Sequence, residues 1–502
     1  MKKALSLKKF LIVICCILSF GFVLAGCSTV SMITNENNEL IYNGNAGVTI
    51  GDYLYFGNSY NEVSSLSDMS GLRDVRKSSY LARINLENIN AKGQNFTPNG
   101  VEKVNSEAVA QENQFMFAIG NYIYYLKPDV HRYTTDDGAS YQFGYSVLCS
   151  VKLNGDGNRE IYTYQGEVAE IEVLKYDGRY YVVAFAGDQL FATRLNNGKG
   201  STKVLGEGVT SVAIPKTQGA ELDGYSDEWN GKIYFTDTDE NDVSKVKEVA
   251  VTADGTEDAE VIGDKNGTVS FVYRQNDLIF YTYTSGSTTR TYYNNVKTLS
   301  GEYYKNEIIL VDNAHEFSSA TISNVFVLQY GTPFETVVYT ANSAIYYKNT
   351  MNGSGRVTIS DDSGNDVSSA TIMVVDDRLA YLISSTGIYE VDFARLTTGS
   401  GDISITPTKT VATMTSINTT LYSYDGEYIY FYAGLEALTD EEQELINNEK
   451  EEAGIEVSDE EEDITSLDDG TYLYRVSIAT GDTQLLGITD YEERHSSYVY
   501  KK

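Results

Sequence analysis

The chain has 502 residues, a formal net charge of −33 and a sequence isoelectric point near 4.4. So acidic a body repels phosphate backbones and anionic lipid headgroups, which excludes nucleic acid and leaves cations and basic protein surfaces as charge-matched partners. Four cysteines and three scattered histidines in that length exclude a disulfide framework and a zinc-ligand cluster.

The first element is an export signal. Lys2, Lys3, Lys8 and Lys9 form a basic front, residues 10–24 are an uncharged apolar run of fifteen, and small residues precede Cys27. A membrane span needs about 20 apolar residues, so the run suits a cleaved signal over residues 1–26 better than a permanent helix. The phrase Leu24-Ala25-Gly26-Cys27 resembles the lipobox of bacterial lipoproteins. That resemblance implies that the Cys27 thiol receives a diacylglyceryl group, that the chain is cut just before it, and that the protein is held to the cell membrane on its extracytoplasmic face. Two or more acyl chains give stable attachment. Residues 27–44 then comprise the lipidated cysteine and a tether, of which residues 28–39 are polar and patternless. Cys15 and Cys16 leave with the signal, so Cys149 alone remains in the body and no intramolecular disulfide can form. It lies in the apolar run Tyr145-Ser146-Val147-Leu148-Cys149, where a buried inert thiol is expected.

From residue 45 to 502 the chain is a repeat. A turn of Gly, Asp or Asn leads into a short strand of alternating aliphatic and aromatic residues. The copies begin at Gly51-Asp52, Gly120-Asn121, Asp177-Gly178, Asn230-Gly231, Asn276-Asp277, Asn342-Ser343, Asp376-Asp377 and Asp425-Gly426. A second phrase, a strand running into a glycine turn, follows several of them, as in Val151-Lys152-Leu153-Asn154-Gly155 and Val476-Ser477-Ile478-Ala479-Thr480-Gly481. Period-two alternation punctuated by Asp-Gly and Asn-Gly marks antiparallel hairpins. A few such strands cannot cover their own apolar faces and must stack on their neighbours. Spacings of 34 to 69 residues bracket the blade of about 40–50 residues typical of propellers. The fold class expected is therefore all-β, a β-propeller of eight blades, with seven as the alternative count, acting as a monomer.

Tyr234-Phe235-Thr236-Asp237 is similar to the tyrosine-tryptophan-threonine-aspartate repeat of receptor propellers, and the wider phrase looks like the repeats of TolB-like propellers of bacterial surface proteins. The resemblance spans residues 45–490 and implies the fold, not receptor function. Phenylalanine replaces tryptophan in this one copy, and Trp229 is the chain's single tryptophan, unlike the tryptophan-bearing repeats of quinoprotein-like propellers.

An acidic insertion interrupts the last blade. Residues 435–469 hold sixteen acids against one lysine. Thr439 and Glu442 make a capping-box pair, so a solvated helix is expected there, followed by a disordered run.

Chemistry-bearing patterns are few. Asp237, Asp239, Asn241 and Glu248 occupy first, third, fifth and twelfth positions of a calcium-loop spacing, although Asp242 stands where the sharp turn needs glycine and strands flank the segment in place of helices. His131, His315 and His495 fall in no ligand spacing, and no nucleophile elbow or phosphate loop is present. No cofactor is expected beyond that candidate calcium. Tyrosine outnumbers phenylalanine 41 to 18. In pairs such as Tyr124-Tyr125 one ring is expected between blades and the other in polar surroundings, while Tyr133, Tyr141 and Tyr225 are expected on loops that can stack on sugars or anchor a peptide. The reading is a binding or scaffold module for a protein or glycan of the cell envelope. The alternative is an envelope polysaccharide hydrolase or lyase using carboxylates at the propeller funnel.

Overall fold

A computed structural model describes residues 39–501, apart from 59–73, 78–79, 88–100, 106–114, 136–137, 217–228, 239–242, 276, 296–307, 313–321, 342–343, 352, 362, 377, 415–416, 421, 434–471 and 488–497. Its strands form eight blades in a ring. Blade one comprises Val48–Ile50, Tyr53–Asn58, Tyr80–Asn85 and Val101–Lys103; blade two comprises Met116–Ile119, Tyr122–Thr135, Gly138–Lys152 and Arg159–Thr163. Blade three runs through Val168–Tyr176, Arg179–Ala186, Gln189–Asn196 and Lys199–Glu207, and blade four through Val209–Ala213, Lys232–Thr238, Val243–Ala250 and Glu260–Asn266. Blade five holds Thr268–Gln275, Leu278–Ser285, Thr288–Asn295 and Ile308–Asp312; blade six holds Ile322–Leu328, Thr336–Ala341, Ala344–Asn349 and Ser354–Ile359. Blade seven is Thr371–Val374, Leu379–Ser384, Gly387–Asp392 and Lys409–Thr413, and blade eight is Tyr422–Tyr424, Tyr428–Ala433, Tyr472–Ser477 and Thr483–Gly487. Within every blade these four strands pair antiparallel in chain order.

The turns have a local cause. Asp177 and Gly178 have φ of 50° and 67°, and Asn197 and Gly198 have 47° and 70°. Two consecutive positive φ values make the mirror-image two-residue turn whose twist matches paired strands, and Asp-Gly and Asn-Gly are the pairs that tolerate it.

Packing follows from the same alternation. Tyr181 and Val183 face blade four, in a cluster with Val209, Ile233 and Phe235, whereas Val182 and Ala184 face blade two, in a cluster with Phe117, Tyr124 and Leu148. Successive side chains point to opposite faces of a strand, and here both faces are interfaces. Among the described residues, each junction between neighbouring blades has its own apolar cluster, including the junction of blades eight and one, where Leu54, Phe56 and Ile84 meet Tyr430, Tyr432 and Leu473. The tyrosine pairs therefore differ from expectation: Tyr124 and Tyr125 are both buried, one against blade three and the other against blade one, because an interior blade has no polar face.

The repeated phrase marks the second strand of its blade in seven copies, but the copy at Asn342-Ser343 leads into Ala344–Asn349, the third strand of blade six. The second strand of that blade, Thr336–Ala341, follows a longer connection through Gly331-Thr332-Pro333-Phe334. Blade six also takes an outer fifth strand, Ile403–Ile405, parallel to Ser354–Ile359, from the connection between the last two strands of blade seven.

The N-terminal segment closes the ring. Leu40–Ile41 pairs antiparallel with the first strand of blade two, Leu40 opposite Ile119. Residues 43–47 then zip onto the first strand of blade eight: the Tyr424 N–H donates to the Asn43 carbonyl at 2.8 Å and the Asn45 N–H to the Tyr422 carbonyl at 2.9 Å. The Ser423 hydroxyl donates to the Gly47 carbonyl and accepts from the Ala46 N–H, both at 2.9 Å. A Cβ on Gly44, whose φ is 125°, would lie 2.5 Å from the Tyr422 carbonyl oxygen, so only glycine permits this approach.

Candidate functional site

First strands ring the central axis. Side chains carried by the first strands of the non-neighbouring blades three, five and eight act on one another electrostatically: Glu172 on Tyr273, and Tyr422 on both Tyr273 and Tyr42. Leu40–Ile41, paired to the inner edge of blade two, and Tyr42 after it therefore lie within the channel.

The charged centre of this channel is Lys216, which follows the first strand of blade four. Its Nζ lies 3.0 Å from Glu170 Oε2 and 3.6 Å from Glu172 Oε1, both on the first strand of blade three. Its backbone N–H donates to the Arg274 carbonyl of blade five at 3.3 Å. One residue thus bridges two neighbouring blades. Burial alone would depress the Lys216 ammonium, but Glu172 and Glu170 outweigh it and the net shift is upward. Burial, with Glu172 and Tyr422 adding to it, pushes the Tyr42 and Tyr273 phenols up; burial takes Tyr422 to about 12. These three rings keep some accessible surface, yet protein surrounds them closely enough for desolvation to dominate their ionisation.

Arg274 supports this wall from behind. It is fully buried, donates to the Lys232 carbonyl at 2.6 Å and to Asn230 Oδ1 at 3.2 Å, and stacks over Tyr234 at 5.0 Å. Sequence reasoning singled out none of Glu170, Glu172, Lys216, Tyr42, Tyr273 or Arg274. Glu170 and Glu172 share strand parity, which was the available signal, but the lysine comes from 44 residues on, beyond any local pattern.

Of the calcium-spaced residues, Asp237 and Glu248 are described, and these two are not brought together. Asp237 pairs with Lys247 at 2.5 Å, and Glu248 is held by Lys232. Glu248 stands opposite Tyr234 and Asp237 opposite Lys245, so the two carboxylates fall on opposite faces of blade four. Asp239 and Asn241 lie outside the described residues, among which no cluster of metal-ligating side chains occurs. Asp237 Oδ1 is buried with no hydrogen-bond partner among those residues.

Cys149 is fully buried between blades one and two, and burial, against the counteracting charge of Lys127, pushes its thiol up to about 12, matching the inert thiol expected. Tyr133 and Tyr141 sit on the two strands of a long hairpin in blade two, paired with Ser140 and Arg132, and not on loops; register continues past the blade edge there. His131 is on the same hairpin opposite Gln142. His315, His495, Tyr225, Cys27, the signal region, and the insertion at 435–469 with its Thr439 cap lie outside the described residues. Among those residues, no helix is long and apolar enough to cross a membrane.

No family model matches the chain, and no curated protein matches it. Among solved structures it is similar to TolB from Acinetobacter baumannii, at 10% identity over 50% of this chain and 56% of that one, with a TM-score of 0.26. It is also similar to a puromycin-hydrolyzing peptidase of Mycobacterium tuberculosis, at 11% identity over 91% and 55%, with a TM-score of 0.34. An oligogalacturonate lyase from Vibrio parahaemolyticus matches at 10% identity over 79% and 94%, with a TM-score of 0.36. The chain spans little more than half the length of the first two.

Proposed function

We propose that this chain is a membrane-tethered, extracytoplasmic propeller that binds a protein or glycan of the cell envelope through the loops of its rim. The anchor rests on the basic front, the short apolar run and Leu24-Ala25-Gly26-Cys27. The single observation that carries the binding reading is the state of the channel: Glu170 and Glu172 converge on one ammonium, and the N-terminal segment lines the wall beside them. Carboxylates that act as acid and base or as nucleophile must reach a substrate and hold different protonation states. Two that are locked to a shared lysine are suited to bracing the ring, which leaves recognition to the rim and counts against polysaccharide cleavage at the funnel.

The test compares the full chain with a variant lacking residues 435–469, by crosslinking in intact envelopes and by release of reducing ends from envelope polysaccharide. A crosslinked partner lost in the variant, with no saccharide release by either protein, is the expected result. Saccharide release that Glu172→Gln abolishes would overturn the binding reading.

A further inference from the structure

The path of the N-terminal segment fixes which face of the ring a tether reaches. Leu40 stands opposite Ile119, which runs directly into the turn Gly120-Asn121 between the first and second strands of blade two. The chain before Leu40 therefore leaves the channel on the face that carries the first-to-second strand turns. In an up-and-down blade the third-to-fourth strand turns share that face, while second-to-third strand connections lie on the other.

A tether of twelve residues, 28–39, reaches at most about 40 Å and has a root-mean-square span of about 19 Å. To put the opposite face on the membrane it must cross half the ring and then climb the rim. Four strands about 4.8 Å apart make that half-width at least about 15 Å outside the channel radius, and strands of six to eight residues make the rim about 20–26 Å high. The path consumes the tether at full extension, so inversion is excluded in practice.

The tethered face carries an apolar feature. Phe334, between the first two strands of blade six, and Met351, between its last two, are 44% and 59% exposed. Thr350 joins their turns, its hydroxyl donating to the Pro333 carbonyl at 2.6 Å and its N–H to the Glu335 carbonyl at 3.0 Å. The two side chains are thus presented by one braced pair of turns.

We propose that the ring rests on the lipid surface by the face carrying its first-to-second strand turns, with Phe334 and Met351 meeting the headgroup layer. Resting on the lipid-anchor reading, this deepens it. The tether confines this face to the neighbourhood of the lipid surface, so no charge attraction to the acidic body is needed to bring it there. The extended hairpin that joins the second and third strands of blade two then points away from the membrane, toward partners.

The test uses the full chain made in a bacterium, extracted in detergent and reconstituted into phosphatidylcholine vesicles containing a headgroup-nitroxide lipid. Phe334→Trp and Ser287→Trp place indoles in exposed turns on opposite faces, over the background of the buried Trp229. At least twofold stronger quenching of Phe334→Trp is expected. As a second readout, Met351→Cys should label more slowly with a soluble maleimide on vesicles than in detergent, and Ser287→Cys should not change; Cys149 is buried. Equal or reversed quenching in protein that floats with the vesicles overturns the orientation alone. Failure of the full chain to float, or flotation undiminished by Cys27→Ala, overturns the anchor and the orientation with it.

Discussion

Lys216 is the residue on which three blades depend. Replacing it by methionine leaves Glu170 and Glu172 facing each other in a confined channel, and removing one partner from such a cluster costs about 2 kcal/mol once their partial exposure is allowed for. The expected outcome is a lower urea midpoint for Lys216→Met, recovered when Glu170→Gln and Glu172→Gln are added; an unchanged midpoint would remove the cluster from the account of stability. The phenols give a second expectation. Tyr42, Tyr273 and Tyr422 stay neutral in the fold above the ordinary tyrosine value of about 10. A raised folded value means that the stability is complete below pH about 10 and is lost as pH rises through the folded value, because the unfolded chain releases protons that the native state keeps. The raised ammonium of Lys216 acts with the same sign. Urea midpoints should therefore fall between about pH 10 and pH 12, steeper than in Tyr42→Phe with Tyr273→Phe.

At the scale of the element, alternation does the work, and it was legible: turn pairs such as Asp177-Gly178 and the aromatic phrase after them locate seven second strands. What misled was the phrase at Asn342, since a hairpin turn looks the same whether it joins the first two strands or the middle two. The hairpin bearing Tyr133 and Tyr141 was hidden for another reason. Its strands continue beyond the blade into His131-Arg132-Tyr133-Thr134, polar enough to read as a loop, with pairing to Gln142-Tyr141-Ser140-Ala139 that only the register reveals. Alternation also makes damage directional. Leu190 is fully buried at the junction of blades three and four, and the adjacent Phe191 at that of two and three. Leu190→Ala should cost about 2–5 kcal/mol and Phe191→Ala about 3–5 kcal/mol. Hydrogen exchange should accelerate first in Lys232–Thr238 for the former and in Gly138–Lys152 for the latter; matching patterns would refute a one-sided role for each residue.

For the whole molecule, the number of blades could be read from the sequence because each unit leaves two apolar faces uncovered, whereas the means of closure could not. Nothing in Tyr42-Asn43-Gly44-Asn45-Ala46-Gly47 announces a partner nearly 380 residues away at Tyr422–Tyr424. The channel cluster was invisible for the same reason, being assembled from blades three, four, five and eight. Closure is testable at its tightest contact. Gly44→Ala adds a methyl 2.5 Å from the Tyr422 carbonyl oxygen at a positive φ, and should destabilise the protein by more than about 1 kcal/mol. Proteolysis should quicken in blades eight and one before the others; uniform susceptibility would mean that the ring is held elsewhere.

The direction of Leu40–Ile41 also has a mechanical meaning. Antiparallel hydrogen bonds run perpendicular to the strand, and this strand is aligned along the channel beside Ala118 and Ile119. Tension drawn from the N-terminus out of the channel mouth thus loads those bonds in shear, sharing the force among them, instead of peeling them one at a time. Under the proposed anchor, a load arriving through the lipid would meet this pairing in shear.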